Sequence, residues 1–311
     1  MNLQHKISIL GLTDVGIVRK KNEDTIGYDS ALGLVVLADG MGGHRGGEVA
    51  SSLTVDSIID TMQKQLPAID VHQTDSVSGF SLVSICVQNA IDQANDLVFK
   101  TSEANPANRG MGTTIVVLQF YNNTISLAHI GDSRCYRFRA DTLDQLTRDH
   151  SLLQELIDRG FYTPAEARHS MNKNLVTRAL GIDPVVTPDI QEEIVLKNDI
   201  FLLCSDGLTD LVEDEDICLT IKQFSDNLEE AAKQLITKAN QKGGLDNISV
   251  MLCRVDEDFS TNRSWHKKLT AWLDYRITPS NRILFRGWIK HGRKTNHDID
   301  YGRKDRLFAD K

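Results

Sequence analysis

The sequence predicts an α+β fold: two antiparallel sheets with helices on their outer faces. Two observations carry that expectation. Segments of strand length come in neighbouring pairs joined by short turns, and segments of helical spacing come in blocks that do not alternate one for one with strands. A third observation concerns function: several apolar runs end at an aspartate in a turn.

Residues 6–13 (KISILGLT) read as the first strand. Residues 14–24 (DVGIVRKKNED) are polar and turn-rich. A strand around Ile26–Asp29, a turn near Ser30–Gly33 and a buried run, Leu34–Ala38, make a hairpin. Glu48–Gln65 has helical spacing, with Val49, Leu53, Ile58, Ile59 and Met62 near one face. A loop over 66–79 leads to a second helix, Phe80–Thr101. Strands Thr113–Gln119 and Thr124–Ile130 flank Tyr121-Asn122-Asn123, a hairpin signal, and Cys135–Arg139 is another strand before a polar turn at Ala140–Asp141. His150–Leu180 reads as helix with turns and no strand. Val195–Cys204 reads as one buried strand, Leu228–Gln241 as a helix and Ile248–Val255 as the last strand.

The composition, 41% hydrophobic and 25% charged over 311 residues, is that of an ordinary globular chain of one large or two small domains. No apolar run approaches a membrane span. The start, MNLQHKISILGLTD, has no basic lead into a long apolar core, so the expectation is a cytoplasmic protein. The five cysteines are scattered and mostly in apolar segments, as for buried thiols in a reducing compartment. Charge is uneven. Residues 257–311 hold 13 Lys and Arg against 7 Asp and Glu, a net +6, which leaves −14 on residues 1–256. That contrast puts a boundary near 256, and the acidic main part argues against nucleic acid as a ligand.

Four short stretches share one pattern. Asp39 (ADG), Asp132 (GDS), Asp206 (SDG) and Asp246 (DN) each lie in a turn beside an apolar strand, and Asn22-Glu23-Asp24 precedes the second strand. A single aspartate there is an ordinary turn residue. Four carboxylates at strand ends repel one another unless cations neutralise them. Oxygen donors with no His or Cys cluster point to Mg²⁺ or Mn²⁺, and the Gly40 carbonyl lies open beside Asp39. Two such ions could ionise a water for attack on a phosphoryl group. Arg19, five residues before Asp24, could bind phosphate oxygens or simply be a solvated arginine in a basic turn.

These stretches resemble the PPM family, the type 2C metal-dependent Ser/Thr protein phosphatases, in their short bacterial form. The matching segments are TDVGIVRKKNED (13–24), VVLADGMGGHRGGEVAS (35–51), MGTT (111–114), HIGDSRCYRFR (129–139), LTRDHS (146–151), VTRALG (176–181), LLCSDGLTDLV (202–212) and GGLDNISV (243–250). They follow the family's order and cover about residues 6–255. The resemblance implies a four-layer α-β-β-α sandwich with the metal centre at one end of two central antiparallel sheets. It implies that Asp39 bridges two Mn²⁺ or Mg²⁺ ions, with the Gly40 carbonyl on the second, and that Asp206 and Asp246 complete the first ion's shell. Glu23 and Asp24 would act through waters. Asp132 with Asp206 would serve a weaker third ion, with Asp210 in its outer shell. Arg19 would bind the substrate phosphate, and His44 would protonate the leaving seryl or threonyl oxygen. A metal-bridging hydroxide would attack phosphorus directly. Residues 150–181 match the family's flap subdomain, with Asp149 and His150 structural at its base. Phosphorylated proteins and a cognate Ser/Thr kinase are the implied partners of a monomer.

Two other readings compete: a non-catalytic phosphoprotein-binding pseudophosphatase, and a phosphoesterase for nucleotides or other small molecules. Residues 257–311 lie outside the resemblance. Trp265, Leu269, Trp272 and Leu273 share one helical face among basic residues, and a second apolar cluster follows Pro279. The expectation is a basic, partly helical extension. Its 257–290 portion either packs on the acidic domain or docks on a protein or on the inner membrane face.

Overall fold

The computed structural model describes residues 2–42, 46–163, 166 and 175–260. His44, the middle of the 150–181 segment and all but residues 257–260 of the extension expected over 257–311 lie outside the described residues. Among the described residues, eleven strands form two antiparallel sheets. The first has the order β1 (Ile7–Asp14), β11 (Ile248–Val255), β10 (Ile200–Cys204), β7 (Arg134–Arg139), β8 (Thr142–Gln145). The second has the order β2 (Asp24–Asp29), β3 (Leu34–Met41), β5 (Ile115–Tyr121), β6 (Thr124–Ile130), β9 (Asp189–Ile194), with the short β4 (Gly112–Thr113) against β3.

Strand periodicity sorts the core into three clusters. Val35, Leu37, Val116 and Leu118 point between the sheets and meet Phe201, Leu203, Met251 and Cys253 of the other sheet. Their neighbours Leu34, Val36, Ile115 and Val117 point outward under helices α1 (Gly46–Gln65) and α2 (Leu82–Ala104). On the far side, Ile200, Leu202, Val250 and Leu252 pack under α5 (Asp214–Gln223) and α6 (Leu228–Gln241). Both faces of each central strand are therefore buried, which is why Leu34–Ala38 is continuously apolar. The result is the expected α-β-β-α sandwich. Two shorter helices, α3 (Leu152–Asp158) and α4 (Asp206–Thr209), lie at the strand ends. No helix of the described residues is long and apolar enough to cross a membrane.

The structure corrects some elements. Val195–Cys204 is not one strand. The chain turns through Asn198 at a φ of 70°, and Asp199 accepts the Leu196 N–H at 2.7 Å. Buried Asp199 also takes a two-pronged bond from Arg139, at 2.7 and 2.6 Å. Only Ile200–Cys204 of the segment is strand, and Val195–Asp199 form the connection from β9 of the second sheet to β10 of the first. Strands β8 and β9 carry no strand pattern in the sequence because both are edge strands, polar on one face and without an apolar run. The predicted 113–119 strand is interrupted at Thr114, whose backbone and side chain both bond to Asp39. The 150–181 segment contains α3, and isolated antiparallel bridges, Ser151 to Val176 and Leu180 to Thr113, tie its ends back.

Candidate metal centre

Antiparallel pairing brings the acids together. Asp24 at the start of β2 lies opposite Asp39 near the end of β3. In the other sheet, β10 ends just before Asp206 and β11 begins just after Asp246, and these two strands pair directly. Asp132 sits in the turn between β6 and β7, and β7 starts beside the end of β10. All five carboxylates therefore gather at one end of the sandwich.

Short polar side chains join the two sheets there. Ser205 donates to Asp24 at 2.8 Å and accepts the Ser249 N–H at 3.0 Å. The Asn247 amide accepts the Glu23 N–H at 2.8 Å and donates to the Val15 and Lys21 carbonyls at 3.0 and 2.8 Å. Thr114 accepts the Asp39 N–H at 3.1 Å and lies 2.8 Å from the Ser133 hydroxyl. Nothing local in the sequence marks Ser205, Asn247 or Thr114, although each adjoins a motif acid or lies within MGTT. Asn247→Ala removes three bonds at once and should cost about 2–4 kcal/mol of unfolding free energy, read from urea denaturation. A cost under about 0.5 kcal/mol would mean that the 15–23 loop is held by other contacts.

Two glycines allow the close approach. A Cβ on Gly40 would lie 2.1 Å from the Gly47 carbonyl oxygen, and one on Gly207 would lie 2.0 Å from that of Asn247. The backbone at both strand ends is thus pressed against its neighbour.

The electrostatics are those of a cation site. Burial raises the Asp39 carboxyl well above its ordinary range, and the charges of Asp24, Asp206, Asp132 and Asp246 add to it. Asp206 is raised likewise, by burial and then by Asp132, Asp210, Asp246 and Asp24. Asp24 and Asp132 are each pushed up to about 6, chiefly by burial. Glu23 is also raised by burial, against the pull of Arg19 and Lys21. One oxygen each of Asp24 and Asp206 is buried with no hydrogen-bond partner among the described residues. Orphaned carboxylate oxygens amid mutually repelling acids suit a hard divalent cation, so this donor set fits the Mn²⁺ or Mg²⁺ expected.

Arg19 stands at the mouth of the cluster, half-exposed, with its guanidinium 2.6 Å from Asp246. It is joined to an expected metal ligand, not loose in solvent. Asp210 lies at the end of the short α4, its N–H donating to the Asp206 carbonyl at 2.8 Å. The expectation of no histidine cluster needs correction. His129, His150 and Asp189 place ligand-type atoms within 4.8 Å of one another, apart from the acids. The cause is topological: β6 and β9 are paired, and His150 folds back onto the end of β6.

A carboxylate cluster of this kind at one end of such a sandwich belongs to the metal-dependent protein phosphatases, and the chain is a member of the protein phosphatase 2C family, whose model matches residues 12–248. It is 35% identical over 243 residues to the serine/threonine phosphatase stp of Listeria innocua, spanning 77% of this chain and 92% of that one. It is 36% identical over 254 residues to protein phosphatase PhpP of Streptococcus pneumoniae, spanning 79% and 97%. The solved catalytic domain of the serine/threonine phosphatase PstP, in complex with 2 manganese ions, is 35% identical and superposes with a TM-score of 0.67, over 81% of this chain and 99% of that one.

Proposed function

We propose that this chain is a Mn²⁺- or Mg²⁺-dependent protein phosphatase that hydrolyses phosphoserine and phosphothreonine. The observation that carries the reading is the buried cluster of Asp24, Asp39, Asp132, Asp206 and Asp246 with Arg19 at its edge. Asp39 would bridge two ions, Gly40 would lend its carbonyl, and Asp206 and Asp246 would complete the set. Glu23 and Asp24 would hold waters, and Asp132 with Asp210 would serve a weaker third ion. Ions held there supply Lewis acidity and a water nucleophile at neutral pH.

The chain's own residues do the rest. Arg19 binds phosphoryl oxygens, since a guanidinium has five donors and its Asp246 bond engages one nitrogen. Ser205 and Asn247 hold the carboxylates in register across the sheets, and Thr114 holds Asp39 within the second. His44 is our candidate for protonating the leaving oxygen. Residues 1–256 make the phosphatase domain, with the 150–181 flap beside the site and 257–311 an appended basic segment. We take the unit of action to be a monomer. A Ser/Thr kinase must supply the substrates, and we place the enzyme in the cytoplasm, with the basic 257–290 segment packed on the acidic domain or docked on a partner protein or the inner membrane face.

The test is hydrolysis by the full chain of phosphopeptides, p-nitrophenyl phosphate and nucleotides, with Mn²⁺ and with EDTA. Mn²⁺-dependent release from phosphopeptides is expected. Preference for nucleotides would favour the small-molecule reading, and Mn²⁺ binding without hydrolysis would make the protein a pseudophosphatase. Arg19→Ala should raise KM for a phosphopeptide about tenfold with kcat within about threefold, the signature of lost ground-state binding. An unchanged KM would remove Arg19 from the phosphate site.

A further inference from the structure

His150 makes more contacts than its position in the sequence suggested. It is buried, 4% exposed, and grips one residue from two sides. Its N–H donates to the Gly131 carbonyl at 2.9 Å, and its Nδ1 accepts the Gly131 N–H at 3.1 Å. Gly131 has a φ of +104°, and a Cβ there would strike the Thr114 side chain at 2.6 Å, so this turn has little room to shift.

The Gly131 bond also decides the chemistry of the histidine cluster. Nδ1 accepts, so in the neutral ring Nε2 carries the proton. That N–H faces Asp189 Oδ2 at 3.5 Å, an ion-pair approach longer than a good hydrogen bond. The stacked ring of His129 is held through Nε2 by the Arg148 carbonyl at 2.9 Å. With no lone pair of His150 turned toward its two neighbours, the trio is poorly made for a metal. It is well made for a clamp.

What the clamp holds is the turn that carries Asp132. The residue before His150, Asp149, takes a forked bond from Arg134, with Nε at 3.0 Å from Oδ1 and Nη2 at 2.7 Å from Oδ2. Asp149 and His150 therefore grip Arg134 and Gly131, which flank Asp132 and Ser133. The same histidine reaches the returning end of its own segment. Its carbonyl accepts the Thr177 N–H at 2.8 Å, and Arg178 binds Asp189 at 2.9 Å.

We propose that His150 is a positioning residue: through Gly131 it sets the Asp132 carboxylate, and with it the affinity of the cation held there, and it joins that turn to residues 175–181. The clamp is read from the geometry alone; its effect on a cation rests on the phosphatase reading above.

Two variants of the full chain separate the bonds. His150→Asn keeps an acceptor near the Nδ1 position, whereas His150→Gln moves its amide toward Nε2 and leaves the Gly131 N–H without a partner. In EDTA, amide hydrogen exchange at Gly131 should rise on the order of tenfold in His150→Gln and stay near wild type in His150→Asn. Calorimetric titration with Mn²⁺ should show the weakest binding step loosened about tenfold in His150→Gln and retained within about twofold in His150→Asn. Equal Gly131 exchange in all three proteins would overturn the clamp. Unchanged Mn²⁺ binding with equal losses of melting temperature in both variants would reduce His150 to packing. A wild-type chain that binds no Mn²⁺, with Gly131 exposed only in His150→Gln, would overturn the phosphatase reading and the metal effect while upholding the clamp.

Discussion

Asp39→Asn should abolish Mn²⁺-dependent hydrolysis of phosphoserine and at the same time raise the melting temperature of the metal-free protein. The two effects have one origin. Asp39 is buried among four other aspartates, and burial followed by their charges drives its carboxyl well above the ordinary range. An amide has the shape of the protonated acid and keeps a donor for the facing Asp24, so the metal-free fold loses a source of repulsion. The same change removes the charge that would hold two cations side by side. A loss on the order of 10³-fold in kcat/KM, about 4 kcal/mol of transition-state stabilisation, is expected for so central a ligand. Full activity of the purified variant would sink the dinuclear reading. A lower metal-free melting temperature would mean that Asp39 is held by packing, not strained by charge.

The opposite signs of those effects bear on what a sequence can show. The apolar runs that end at Asp39 and Asp206 were legible because both faces of β3 and β10 are buried, which forces continuous hydrophobicity. Helix α6 and strand β11 were legible for similar reasons: each buries a regular stripe, and each was read with its observed ends. The edge strands β8 and β9 were not. A half-exposed strand such as DIQEEI pairs through its backbone and has no side-chain pattern to announce it. Helix α5 was also unread, because only Ile217, Thr220 and Ile221 of DEDICLTIKQ are buried; its acidic first turn was the available signal.

The site divides in the same way. Its carboxylates were legible as a repeated strand-then-acid pattern, and pairing of β2 with β3 and of β10 with β11 then explains why they converge. The groups that hold them were not legible. Ser205 and Asn247 act across the sheets and Thr114 within the second sheet, at separations of 181, 224 and 75 residues, and no local pattern encodes a contact of that kind. The histidine cluster was missed for that reason too. His129 and His150 are 21 residues apart on either side of the β7–β8 hairpin, and Asp189 joins them through the pairing of β6 with β9.

Metal removal should make the protein's stability fall as pH rises, over a window where most proteins are flat. Asp24 and Asp132 titrate near 6 in the folded chain, and Asp39 and Asp206 are raised well above their ordinary value, in each case mainly by burial. In the unfolded chain all four release their protons near pH 4. Between those limits the folded state binds more protons than the unfolded state, so unfolding free energy decreases with pH. The stabilising contribution is complete below about pH 4 and is lost as pH climbs through about 6 and beyond. Asp189 acts in the other direction, since His150 and then Arg178 hold its carboxyl far below the usual range; its contribution is lost only in stronger acid, outside this window. In EDTA the melting temperature should therefore drop by about 5 °C or more from pH 5 to pH 7.5. Saturating Mn²⁺ needs the carboxylates ionised, so its stabilising shift should grow over the same range and close the gap at the upper end. Melting curves with EDTA and with Mn²⁺ at four pH values would decide it. An EDTA curve that is flat or rising from pH 5 to 7.5 would show that the acids do not repel as their burial and spacing require, and an equal Mn²⁺ shift at both ends would show that the ions bind elsewhere.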